Sequence, residues 1–196
     1  MVGKNILYKA SKTHVFTAII LSMSVNNEAK SDDPGQEAMM LNNGPELQWY
    51  VQNDNVMGGR SEGGFKIVNN ELVFSGTTNT NGGGFSSIRT QKFSMDFSQF
   101  KGIKVKIRAD GRKYTWSIQT DAQWQGRQIS YWADFKTIPN ETSEIEIPFS
   151  NFVPQFRGVI LDGPVLDPSK ITEFALYQYD KTDGPFELRL ISVQAF

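Results

Sequence analysis

The sequence contains no cysteine. That excludes disulfides, thiolate nucleophiles and cysteine-ligated zinc or iron–sulfur centres. It contains one histidine, His14, close to the N-terminus. Beyond that segment neither a Ser-His-Asp nor a Cys-His nucleophile can be assembled, and histidine-bound catalytic zinc is excluded as well. Basic residues are not in excess: 20 Lys and Arg stand against 21 Asp and Glu, for a formal net charge of -1. Four of the former and three of the latter lie in residues 1–34, so the remainder is close to neutral at 16 against 18. Such a chain lacks the positive charge that grips a nucleic-acid backbone. The apolar run Val15–Val25 is too short to span a bilayer comfortably.

That run follows Lys4, Lys9 and Lys12 and carries the small residues Ser22 and Ser24. A basic start, a short apolar core and small residues at the −3 and −1 positions form the pattern of an export signal. Residues 1–30 are therefore expected to be a signal or targeting segment. The absence of arginine there argues against a mitochondrial presequence, and the absence of cysteine excludes a bacterial lipoprotein. Residues 31–45, with Asp32, Asp33, Pro34 and Gly35, read as a linker. If the leader is a signal, the protein is exported or periplasmic. Otherwise it is cytoplasmic or membrane-associated. The mature chain is expected to carry no transmembrane domain.

Residues 46–196 read as one all-β domain. Period-two alternation recurs in short runs: Ile103, Val105 and Ile107 against Lys104, Lys106 and Arg108, and Phe186, Leu188 and Leu190 against Glu187 and Arg189. About ten such strands, each with one apolar face, predict a two-sheet sandwich or jelly roll. Asn69-Asn70 predicts a tight hairpin between two of them.

Two glycine-rich segments stand out. Asn53-Asp54-Asn55-Val56-Met57-Gly58-Gly59-Arg60-Ser61 is a polar turn with an apolar pair and two glycines, and Gly82-Gly83-Gly84 leads into Phe85-Ser86-Ser87-Ile88-Arg89. Asn53 and Asp54 can fix the turn through their own backbone. Gly58 and Gly59 permit positive φ or close backbone approach. Neither segment is a phosphate cradle, because no Gly-Lys-Ser/Thr follows. Arg89 is expected to pair across the sheet with a carboxylate such as Asp54.

Read in order, these segments resemble the complex I intermediate-associated protein 30 family. The first resembles its "V-N-D-x-V-M-G-G-x-S" block, with Gln52 before the Asn where the family is variable, and the second its "G-G-F-x-S-I/V-R" strand. Arg108 to Tyr114, Ile147 to Phe152 and Gly184 to Leu188 resemble further blocks over about residues 47–194. Asn55 departs from the commoner Asp, Gly or Thr, and Thr120–Gly126 does not align. The resemblance implies a galactose-binding-like jelly-roll β-sandwich. It also implies a non-catalytic assembly factor or chaperone-like scaffold that binds protein partners, including subunits of a membrane complex, with no cofactor and no metal.

The expected binding loop is Asn53, Asp54, Met57, Gly58, Gly59, Arg60 and Ser61, with Arg89 in support. The rival is a carbohydrate-binding module. Tyr114, Trp116, Trp124, Tyr131 and Trp132 form an aromatic-rich stretch, and exposed rings stack on sugar faces. Tyr114 and Trp116 alternate with Thr115 and Ser117, which predicts core. Trp124 sits among Gln123, Gln125 and Gly126, which makes it the expected exposed ring. A glycosidase would need two facing carboxylates, for which Asp54, Asp110, Asp134 and Asp162 are candidates.

Overall fold

The computed structural model describes residues 47–196, and the backbone of Met39–Met40. The leader, His14 and most of the expected linker lie outside the described residues. Strands dominate. They are β1 (Met39–Met40), β2 (Trp49–Asn53), β3 (Glu62–Val68), β4 (Glu71–Thr78), β5 (Ser86–Thr90), β6 (Gly102–Ala109) and β7 (Lys113–Trp124). After these come β8 (Arg127–Lys136), β9 (Thr142–Pro148), β10 (Val153–Phe156), β11 (Val159–Ile160), β12 (Glu173–Gln178) and β13 (Gly184–Ala195). The only helices among the described residues are three short 3₁₀ turns, and no helix there is long and apolar enough to cross a membrane.

Two antiparallel sheets form. One has the order β3-β4-β13-β6-β9, with β1 paired to the end of β13. The other has the order β11-β10-β8-β7-β12-β5-β2. Each strand buries alternate residues between the sheets. Ile103, Val105 and Ile107 from one sheet meet Tyr114, Trp116 and Ile118 from the other in a single core. The intervening Lys104 and Lys106 pair outside with Glu146 and Glu144 on β9. This is the expected galactose-binding-like jelly-roll sandwich.

Asn69 (φ 52°) and Asn70 (φ 64°) make the expected tight turn of the β3–β4 hairpin, because asparagine tolerates the left-handed region better than most residues. Phe174 gathers Phe93, Phe97 and Trp116, with ring centroids 5.0, 5.6 and 5.9 Å away. Met39 and Met40, assigned from composition to a linker, pair with Ala195 and Gln194. Two residues carry no periodicity, so a pairing that short leaves no trace in sequence. The same applies to β11.

Burial sets the expected mutational contrast. Trp116→Ala removes a fully buried ring and is expected to cost about 3–5 kcal/mol. Ile67→Ala, at a β3 position 61% exposed, is expected to change stability by less than about 0.5 kcal/mol. Guanidinium unfolding of the two variants checks the assignment of faces, and equal losses would contradict it.

Candidate functional site

Between β2 and β3 the chain passes from the seven-stranded to the six-stranded sheet through a 3₁₀ turn at Asp54–Met57. Asp54 is fully buried. Its carboxylate accepts from Ser61 N (2.9 Å), Ser61 Oγ (2.6 Å), Gly84 N (2.6 Å) and Phe85 N (3.2 Å). Its backbone carbonyl accepts from Gly59 N at 3.0 Å, and its own N–H donates to Phe85 O at 3.3 Å. Burial pushes the carboxyl up, but the hydrogen bonds from Ser61, Gly84 and Phe85 outweigh it and hold the group below its ordinary value.

Both glycine-rich segments therefore converge on one carboxylate. A Cβ at Gly59 would lie 2.2 Å from the Asp54 carboxyl carbon, and one at Gly83 would lie 2.3 Å from Oδ2. Gly59 makes room for Asp54, not for an incoming partner. Asn53 ties the strands beside it, donating to Gly63 O (3.0 Å) and accepting from Ser86 Oγ (2.7 Å). Ser61 Oγ also accepts from Asn79 N at 3.0 Å. Asp54 and Ser61 thus point inward, while Val56 (63% exposed), Met57 (72% exposed), Gly58 and Arg60 form the outward tip.

The expected pairing of Arg89 with Asp54 does not form. In the strand alternation Arg89 is on the outward face of the seven-stranded sheet, where it donates to Tyr177 Oη (2.5 Å) and lies 4.0 Å from the Glu173 carboxylate. Burial pushes the Glu173 carboxyl up, with Arg89 and Lys92 acting against it. Trp124 is not the exposed ring. It closes β7, half-buried, against Phe156 of β10, with centroids 6.4 Å apart. As expected, Tyr114 and Trp116 are core.

The ring that composition did not single out is Trp132. It stands on the outward face of the seven-stranded sheet, 4.9 Å from Tyr177 and 5.6 Å from Tyr179 by centroid. Phe85 packs 5.8 Å from Tyr177. Together they line a groove of about 330 Å³ that also takes Gln52, Gln119, Gln155 and, from the tip, Val56 and Met57. The charged residues of its lining are Arg89 and Arg157, and it contains no Asp, Glu, His or Cys.

The four candidate acids do not face one another there. Asp54 is locked inside. Asp110 accepts from Tyr114 Oη and Glu187 N. Asp134 pairs with Lys113 at 2.7 Å, and Asp162 is an exposed loop residue. No group of three or more metal-ligating side chains occurs among the described residues.

Residues 40–190 match the family model described as complex I intermediate-associated protein 30. The chain belongs to the complex I intermediate-associated protein 30 family. An uncharacterized protein of Schizosaccharomyces pombe is 32% identical over 183 residues, covering 80% of this chain and 84% of that one. The mitochondrial complex I intermediate-associated protein 30 of Mus musculus is 29% identical over 172 residues, covering 76% of this chain and 52% of its own length. The chain thus spans about half of the mouse protein.

Among solved structures, the family 11 carbohydrate-binding module of Clostridium thermocellum shares the fold. Its complex with a β-1,3-1,4-mixed-linked tetrasaccharide has a TM-score of 0.57 at 16% identity, covering 80% of this chain and 94% of that chain. A solution structure of CtCBM11 has a TM-score of 0.61 at 17% identity, covering 81% of this chain and 93% of that chain. In this member of the complex I intermediate-associated protein 30 family, both glycine-rich blocks belong to one buried junction beside the groove.

Asp54→Asn is expected to lower stability by about 2–3 kcal/mol at pH 7, since it replaces an ionised acceptor of four donors with an amide. Because folding depresses the Asp54 pKa below 3.8, its contribution is complete above that value. It fades as pH falls through the lower folded value. The gap between wild type and variant should therefore narrow below about pH 4. Gly59→Val should collapse the thermal melt. A wild-type melt for Gly59→Val, or a gap that widens in acid, would contradict the buried junction.

Proposed function

We propose that the protein is a non-catalytic assembly factor that holds protein partners by occupancy, with subunits of a respiratory membrane complex as the leading class. The observation that carries this reading is the family match over residues 40–190. The name of the mouse relative points to association with complex I intermediates. The groove lining adds support: without a carboxylate, imidazole or thiol it has no side chain suited to general acid–base catalysis at neutral pH. Binding then stabilises whichever assembly state presents the recognised surface.

The contact region in this reading is the tip of the expected loop. Val56 and Met57 are apolar, exposed and mounted on the rigid Asp54 junction, and Arg60 beside them is exposed and charged. Little backbone order needs to be gained there on binding, because the loop beneath is already fixed. In the same reading the N-terminal leader carries the chain across a membrane to the place of assembly. The mouse relative's mitochondrial name makes the mitochondrion the location this reading favours, against the export pattern of the arginine-free leader.

Affinity capture of the tagged chain from its own host, followed by mass spectrometry, tests both parts. Complex I subunits should be recovered with wild type and depleted at least tenfold with Met57→Asp, whose melt should match wild type. The recovered chain should lack the leader. Undiminished recovery with Met57→Asp, or no respiratory subunit at all, would sink the assembly reading. An intact N-terminus would sink the targeting one.

A further inference from the structure

The groove has a chemistry that the protein-holding reading does not use. Six neighbouring strands of one sheet contribute to it. Gln155 comes from β10, Trp132 from β8, Gln119 from β7, Tyr177 from β12, Arg89 from β5 and Gln52 from β2. Five strand spacings of about 4.8 Å make it roughly 24 Å from end to end. It is long, shallow and crosswise to the strands, which suits a linear ligand of several units.

Three features restrict what that ligand is. Trp132, half-buried on the outward face, supplies ring surface in the middle of the groove, held in place by the buried Tyr177 and by Tyr179, and flat apolar C–H faces stack on such a ring. Gln52, Gln119 and Gln155 carry no side-chain hydrogen bond among the described residues. Each offers both a donor and an acceptor. The charge in the lining is small and partly engaged, since Arg89 is bound to Tyr177 and faces Glu173. Arg157 remains as the exposed cation of the lining.

An extended peptide fits these features poorly. The floor is the face of a sheet whose backbone groups are already paired in ladders, so no strand edge is open for it. A nucleic acid would meet too few cations. A pyranose chain fits, because each ring has a flat C–H face and a rim of hydroxyls that both donate and accept.

We infer that the outward face of the seven-stranded sheet is a binding groove for a linear, neutral oligosaccharide, with Trp132 as the stacking ring and Gln52, Gln119 and Gln155 as the hydroxyl-reading amides. The inference goes beyond the assembly reading and stands or falls separately from it, because its test needs only the purified chain.

Isothermal titration is run with β-1,3-1,4-mixed-linked glucotetraose, cellotetraose and an agarotetraose, and with glucose and galactose as single-ring controls. At least one tetrasaccharide should bind at least tenfold more tightly than its monosaccharide, with a change in tryptophan fluorescence. Trp132→Ala should weaken that binding at least tenfold and Gln155→Ala at least threefold, both with wild-type melts. Should Trp132→Ala fail to fold, Gln155→Ala and Gln52→Ala carry the test. A cooperatively folded chain that binds none of the tetrasaccharides would overturn the inference, as would binding that survives the Gln52 and Gln155 changes.

Discussion

The Asp54 carboxylate is the interaction on which the rest of this structure depends. Taking an ionised carboxylate out of water costs several kcal/mol unless its lone pairs are met. Here four donors from two separate chain segments meet them. Those donors reach it only because Gly59 and Gly83 have no side chain to intervene. The resulting junction fixes where the chain crosses from one sheet to the other. It also sets the direction of the Val56–Met57 tip and the position of Phe85 at the groove.

The junction extends into a wider network at the same end of the sandwich. Ser61 hands on to Asn79, and Thr80 N donates to the Asp183 carboxylate at 2.6 Å. Arg112 then grips the β12–β13 connection. It pairs bidentately with Asp180 at 2.6 and 2.9 Å and donates to the carbonyls of Thr182, Gly184 and Pro185. A guanidinium suits this work because its fork of five donors is planar and preformed. Burial pushes the Asp180 carboxyl up, and its bonds from Arg112 and Thr182 bring it below its ordinary value. Tyr179 stands next to Asp180 in the chain, so the same network steadies one of the groove's rings.

Much of this was legible in the residues themselves. Alternation along Ile103–Ala109 and Phe186–Gln194 marked the strands and their buried faces, because a strand half in water must write its two faces into its sequence. The Asn69-Asn70 turn was legible for a similar reason. The two glycine-rich segments stood out, but their meaning did not. Sequence order gives no sign that residues 59, 61, 83, 84 and 85 surround one side chain, so Gly59 read as an opening for a partner.

The groove was harder still. Gln52, Gln119 and Gln155 look like any solvated strand face, and only the strand order brings them together. Trp124 read as exposed from its polar neighbours, yet β10 supplies Phe156 to cover it. The strand that carries Arg89 is legible, but its partner is not, because that partner comes from β12, which pairs with β5 across more than eighty residues of sequence.

Amide hydrogen exchange on wild type and Asp54→Asn tests the central claim most directly. The account requires the Ser61, Gly84 and Phe85 amides to be protected in wild type and to exchange much faster in the variant, while amides of β6 and β9 keep their rates. Unchanged exchange at Ser61, Gly84 and Phe85 would mean that the buried carboxylate does not hold the junction together.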